Sequence, residues 1–303
     1  MKIAILGPTA SGKSALAAAL ARRLEATVVN GDPFQAYRGL AIGTGQPSPE
    51  EQGGVPHLGY GELPLSHRLN PQAFGRLVRG WLSGCPRAVL VTGSGLYLRG
   101  IWNQLSDLPE VPEAIQDRTR SWCERLGAPR LHRYLQAVDP QRAAQIHPND
   151  RSRIQRALAL HLATGRRPSE LLDGVRPGVP AGWRALLVLP SREALRHRVQ
   201  SRVRAMVAAG WPLEVQALVE AGQEDLLRDL RPLGYLDWLE GGDPQEIEAR
   251  IVQETQAYAK RQTTFFRNQW PELPVWDPEE GLDAALERVI TSASAEAEHG
   301  VKR

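Results

Sequence analysis

The sequence predicts an α/β fold: a parallel sheet flanked by helices, interrupted by a helical insertion domain. Three observations predict it. Short apolar runs bounded by turn residues alternate with helical stretches. A glycine-rich loop separates the first apolar run from the first helix. A long central segment has helical runs rich in Arg, Gln and Ala but no strand pattern.

Taken in order, Lys2–Leu6, Thr27–Asn30, Ala88–Thr92 and Ala185–Leu189 read as buried strands, and Lys13–Leu24 and Pro71–Leu82 as helices between them. This divides the chain into a first core part over 1–108, a helical insertion over 109–180, a second core part over 181–290 and a flexible C-terminal tail over 291–303. The Pro- and Gly-rich stretch DGVRPGVPAGW returns the chain to the sheet. No internal repeat is evident.

With 303 residues, 42% of them hydrophobic and 23% charged, the chain has the balance of a globular protein with a substantial core. No apolar run approaches the roughly 18 residues of a membrane helix. The strand pattern begins at Met1-Lys2-Ile3, so no cleaved signal peptide is expected. Cys85 and Cys123 stand in neither metal nor disulfide spacing, which suits a reducing cytoplasm. No obligate protein partner is evident. The formal net charge is only +3, yet arginine greatly outnumbers lysine and recurs in clusters. One cluster is ordinarily a solvated helix face. Five of them (118–125, 130–133, 151–156, 196–204 and 260–267) point to a polyanionic partner.

The loop Gly7, Pro8, Thr9, Ala10, Ser11, Gly12, Lys13, Ser14 matches G-x-x-x-x-G-K-[ST], with a strand before it and a helix after. Main-chain N–H groups of such a loop converge on an anion, the glycines allow close approach, and Lys13 adds a point charge. The core is therefore a P-loop parallel sheet. Ser14 offers a hydroxyl to Mg²⁺. An ATPase or kinase usually adds a strand ending in Asp to hold that ion. Here the strand in AVLVTGSGLY ends in Thr92-Gly93-Ser94, a hydroxyl without a carboxylate.

The second strand ends at Asp32, beside the loop if ligands sit at the carboxyl ends of the strands. Asp32 has two readings of equal weight: a general base, or a cap for the turn that Asp32-Pro33 opens. Val199, Val203 and Met206 form the apolar stripe of a later helix, and Arg198 and Arg202 share another of its faces. Lys260, Thr263, Thr264 and Arg267 form a stripe beside Phe265 and Phe266, which themselves read as core.

The ordered motifs GPTASGKS, DPFQAYRGLAIGTGQP, VTGSGLYLRG, IHPNDRSRIQRAL and AKRQTTFFRNQ resemble those of the tRNA dimethylallyltransferases (tRNA isopentenyltransferases) over about Lys2 to Trp276. The resemblance implies transfer of a prenyl group from dimethylallyl diphosphate to N6 of the adenine 3′ to the anticodon, with release of diphosphate. It implies Mg²⁺ as cofactor and the tRNA anticodon stem-loop as partner. The loop would then hold the diphosphate of an alkyl donor.

By the same resemblance Asp32 is the general base, Ser94 meets the bridging oxygen of the donor and also the acceptor, and Arg202 grips the diphosphate. Asp32, Pro33, Phe34 and Gln35 match an adenine-pocket segment. Gln155, Arg156, Ala157, Leu158 and Ala159 match a tRNA-contacting stretch, as do Lys260, Arg261, Gln262 and Arg267. The departures are Pro33 for a serine, Ala41 and Gln46 for an acid and a lysine, Ser94 for a threonine, and Gln116 for a tRNA-touching arginine. Two other enzymes share the loop chemistry: one that prenylates free adenine nucleotides, and a small-molecule kinase in which Asp32 activates a hydroxyl. A non-catalytic RNA-binding protein is the remaining alternative.

Overall fold

The computed structural model describes residues 1–105, 108–172 and 178–291. The expected tail, beyond its first residue, lies outside the described residues, as does part of the Pro- and Gly-rich return. The chain forms two compact units, Met1–Asn103 with Pro177–Arg303, and Gln104–Arg176.

The first unit holds a sheet of β1 (Lys2–Leu6), β2 (Thr27–Asn30), β3 (His57–Leu58), β4 (Ala88–Thr92), β5 (Trp183–Val188) and β6 (Val275–Trp276). Its spatial order is β3-β2-β4-β1-β5-β6, and every pairing is parallel. The pleat sorts the apolar runs between two layers. Ala4, Leu6, Leu90 and Leu187 point to a core beneath Phe74, Val78, Leu98 and Phe266. Ile3, Ile5, Val89 and Leu186 point to the opposite core, against Leu16, Leu20 and Val289. Burial on both faces explains why these strands read as continuous apolar runs. Leu90 has no exposed surface, so truncation to Ala is expected to cost about 2–5 kcal/mol.

Helix starts follow local chemistry. Asn70 accepts from the Ala73 N–H and Pro71 follows it, opening Pro71–Ser83. Ser191 caps Arg192–Ala208 through the Ala194 N–H, and Asp243 caps Pro244–Gln269. A third apolar cluster, with Tyr37, Val199, Val203, Trp211, Leu218, Tyr235 and Ile251, ties these two helices to Trp211–Glu220.

The second unit is helical, with Glu113–Leu126, Ala128–Val138, Pro140–Ala144, Arg151–Thr164 and Pro168–Leu171, and no strand among its described residues. Its core gathers Cys123, Leu131, Leu135, Ile154 and Leu158. Asp139 caps Pro140–Ala144 by accepting from the Arg142 N–H at 3.0 Å and also accepts from the Ser169 N–H at 2.7 Å.

Candidate active site

β1 ends at Leu6, and the loop to the helix Lys13–Leu24 turns through left-handed residues at Ala10 and Gly12. Side-chain substitution at Gly7 is blocked, because a Cβ there would press on the carbonyl of Val188 in β5. Within the loop the Ser11 N–H donates to the Pro8 carbonyl at 3.3 Å, and Lys13 Nζ reaches the same oxygen at 3.2 Å. Among the described residues the buried Ser11 hydroxyl has no hydrogen-bond partner, so this loop retains unspent donor capacity.

A single side chain fastens the loop to its neighbour. Gln262, on the helix Pro244–Gln269, accepts from the Thr9 N–H at 2.9 Å and donates to the Gly93 carbonyl at 2.7 Å. The turn after β4 is thereby held against the glycine-rich loop. A Cβ on Gly93 would lie 3.1 Å from the Gly7 carbonyl and 3.5 Å from Lys13 Cε. Thr92 Oγ1 donates to the Gly31 carbonyl at 2.6 Å and accepts from the Ser94 N–H at 3.0 Å, joining this turn to the end of β2.

Asp32 emerges from that end. Asn30, fully buried, accepts from the Asp32 N–H at 2.7 Å and donates to the Asp32 and Gly59 carbonyls. Asp32 Oδ1 in turn accepts from the Phe34 N–H at 3.0 Å. The capping reading of Asp32 holds, since its carboxylate braces the turn, and the same residue lines a cavity. Burial raises its pKa above the ordinary carboxylate value, opposed by Lys13, the Phe34 and Gln35 N–H groups and Arg202. Burial also lowers Lys13 to about 8, helped by Arg202 and opposed by Asp32. Three tyrosines, Tyr60, Tyr97 and Tyr258, are raised first by burial and then by the same carboxylate.

The cavity holds about 300 Å³ and gathers Lys13, Ser14, Asp32, Phe34, Gln35, Arg202 and Gln262. Its far wall is apolar, from Val203, Met206, Trp211 and Leu233. The segment 41–46 shapes one side. Glu214 accepts from the Ile42 N–H at 2.8 Å, the Gly43 N–H at 3.2 Å and the Tyr235 hydroxyl at 2.6 Å. The segment then orients two cavity groups: Gln35 Nε2 donates to the carbonyls of Thr44 at 3.0 Å and Gly45 at 2.7 Å, and Arg202 reaches Thr44 at 3.4 Å. With both amide hydrogens engaged, Gln35 can meet a ligand only through its oxygen, an acceptor. Gly45 is left-handed, with φ 67°, and a side chain there would overlap the Arg202 guanidinium.

The IPP transferase family model matches residues 35–269, and the isopentenyl transferase model matches residues 1–58. The chain belongs to the IPP transferase family. It is 40% identical to the tRNA dimethylallyltransferase of Nitrobacter hamburgensis over 95% of this chain and 94% of that protein. It is likewise 40% identical to that of Methylobacterium radiotolerans, over 91% and 93%. The tRNA isopentenylpyrophosphate transferase structure of Bacillus halodurans matches at 28% identity and TM-score 0.65, covering 98% of this chain and 99% of that one. A eukaryotic dimethylallyltransferase acting on tRNA, at 23% identity and TM-score 0.72 over 91% of this chain and 73% of that one, shares the fold.

In this IPP transferase the expected residues divide by place. Ser94 is half-buried at the start of Gly95–Ile101, beside the Gln262 anchor, and is not among the residues lining the cavity. Pro33 is buried beneath the Asp32 turn. Gln262 anchors two main-chain groups, pairs with the Tyr258 side chain and also lines the cavity. Lys260, Arg261 and Arg267 are exposed on other faces of the same helix. Phe266 is fully buried and Phe265 packs against the same core, as the sequence predicts.

In the helical unit, Gln155 is half-buried and Arg156 and Gln116 are exposed. Gln116 Nε2 donates to the Val111 carbonyl at 2.8 Å. Ala157, Leu158 and Ala159 are buried in its core, away from the exposed Arg156, as the helical spacing of the apolar residues predicts. Sequence reasoning missed Glu214, Trp211 and Tyr258. A faint signal existed in WPLEVQAL, where one acid interrupts an apolar run.

Proposed function

We propose that the protein transfers a dimethylallyl group from dimethylallyl diphosphate to N6 of the adenine 3′-adjacent to the anticodon of tRNA, releasing diphosphate. The observation that carries this reading is one cavity lined by a loop lysine, an arginine, a braced carboxylate and an acceptor-only glutamine. Its relatives bear tRNA dimethylallyltransferase names. Among the described residues no helix is long and apolar enough to cross a membrane. Both cysteines are free, in keeping with a cytoplasmic setting.

In this mechanism the adenine is extruded from the anticodon loop into the cavity. Its amino group presents N–H donors, which suit the Gln35 oxygen and the Asp32 carboxylate. The N6–C1 bond forms as the C1–O bond breaks, and the electron pair leaves with the diphosphate. Asp32 receives the N6 proton. Adenine N6 is a weak nucleophile, so holding it in line contributes more than proton removal. Charge builds on the leaving oxygens, where the loop N–H groups, Lys13 and Arg202 stabilise it most in the transition state. The Ser14 hydroxyl, which lines the cavity at the helix start, is an oxygen donor that fits Mg²⁺ alongside phosphate oxygens and water. Mg²⁺ would supply charge neutralisation on the diphosphate.

The test is to mix protein, dimethylallyl diphosphate and unmodified tRNA and weigh the nucleosides by mass spectrometry. Prenylated adenosine adjacent to the anticodon is expected. Prenylation of AMP in preference to tRNA, or transfer of phosphate from ATP to a small alcohol, would replace this reading with the corresponding alternative.

A further inference from the structure

The helix Arg192–Ala208 carries arginines on two sides. Arg202 lines the cavity, whereas Arg192 and Arg196 line a separate groove of about 590 Å³. The other wall of the groove is the helix Pro244–Gln269, which supplies Lys260 and Arg267. On that helix Thr255, Tyr258 and Gln262 face the cavity, whereas Gln256, Lys260, Thr263 and Arg267 face the groove. At 3.6 residues per turn these are different faces, so the two sites are distinct.

Among the described residues no Asp or Glu lines the groove, and Glu193 lies beside Arg192 and Arg196 in an adjoining pocket. All four cations are exposed, and among the described residues none of them forms an ion pair. Other arginines of the same unit do pair with carboxylates, among them Arg23, Arg68, Arg87, Arg204 and Arg228. Arg192 and Arg196, one turn apart on the same helix, are like charges that repel. Lys260 and Arg267 lie two turns apart, about 10 Å along the axis.

We propose that this groove seats a stretch of the sugar–phosphate backbone of the RNA acceptor, with Arg192 and Arg196 as contacts that complete the wall begun by Lys260 and Arg267. The inference rests on the RNA-acceptor reading above. Point charges on long side chains suit successive phosphates, and Gln253, Gln256 and Thr264 add neutral polar groups beside them.

The test is the double charge reversal Arg192→Glu/Arg196→Glu, read by filter binding of an unmodified tRNA transcript, without donor, over a salt series. Affinity is expected to fall by about 10- to 100-fold, and the slope of log K against log salt to drop by about two units. The KM for dimethylallyl diphosphate should not move, and Arg192→Lys/Arg196→Lys should bind nearly as wild type. An unchanged affinity and slope in a variant with an intact thermal transition would overturn the groove. A raised donor KM with unchanged tRNA binding would also overturn it, by giving the groove to free diphosphate. Wild-type protein that binds tRNA through these arginines yet forms no prenylated adenosine would sink the activity and leave the groove standing.

Discussion

Gln262 Oε1 accepts the Thr9 amide hydrogen at 2.9 Å, tying the glycine-rich loop after β1 to a residue 253 positions further along the chain. Its other amide atom holds Gly93 at 2.7 Å. Replacing it with Met strips a partner from each of two main-chain groups, and an unmatched buried group costs about 1–3 kcal/mol. Gln262→Met is therefore expected to raise the KM for dimethylallyl diphosphate by about tenfold or more. Gln262→Glu should do worse, because it places a negative charge against the loop. Steady-state kinetics with donor varied would decide; wild-type kinetics in both variants would mean that the loop holds its shape without this anchor.

Asp32→Asn keeps the side-chain oxygen that accepts from Phe34 and removes the base. Turnover on tRNA should fall by about 10²–10⁴-fold. Donor binding, measured by equilibrium titration with dimethylallyl diphosphate, should be largely spared. A variant turning over at the wild-type rate would end the role of Asp32 as base.

The pH profile follows from two opposite shifts. Asp32 must be ionised to accept a proton, and burial raises its pKa, so kcat/KM should fall with acidification earlier than an ordinary carboxylate would dictate. Lys13 must be protonated to meet diphosphate, and burial lowers it to about 8, so donor capture should weaken as pH rises through that value. Bound diphosphate favours the ammonium form, which moves the alkaline limb upward in kcat relative to kcat/KM. Asp32→Asn should lose the acid limb while keeping the alkaline one. An unchanged acid limb in that variant would assign it to another group.

Glu214→Gln keeps the shape of the side chain but turns an N–H₂ toward donors at Ile42, Gly43 or Tyr235. A cost of about 1–3 kcal/mol in stability is expected. Beyond that loss, KM for both substrates should rise together, since Gln35 and Arg202 are both oriented through Thr44. Tyr235→Phe leaves the two main-chain bonds in place and should be milder. Thermal melts paired with two-substrate kinetics would separate the effects; a lowered melting temperature with unchanged KM values would make Glu214 purely structural.

The strands that bear the site are legible in the sequence because β1, β2, β4 and β5 are buried on both faces and spelled as unbroken apolar runs. β3 and β6 are two-residue edges, too short to carry any period. Lys13, Asp32, Gln35 and Arg202 announce themselves by motif and do share one cavity. Glu214 does not, since two of its partners are main-chain N–H groups some 170 positions away, at Ile42 and Gly43. Main-chain partners carry no side-chain spelling. Gln262 illustrates the same limit: its motif marks it as important, and only the geometry shows that it grips two loops. The arginine clusters were visible as composition, but which of them lack carboxylate partners depends on packing.

The first strand waits for the fifth, and the loop after it waits for a helix near the other end of the chain. During synthesis, then, the ribosome releases the glycine-rich loop long before its anchor exists. A nascent chain ending before residue 262 would hold a loop without its brace beside a sheet still lacking β6.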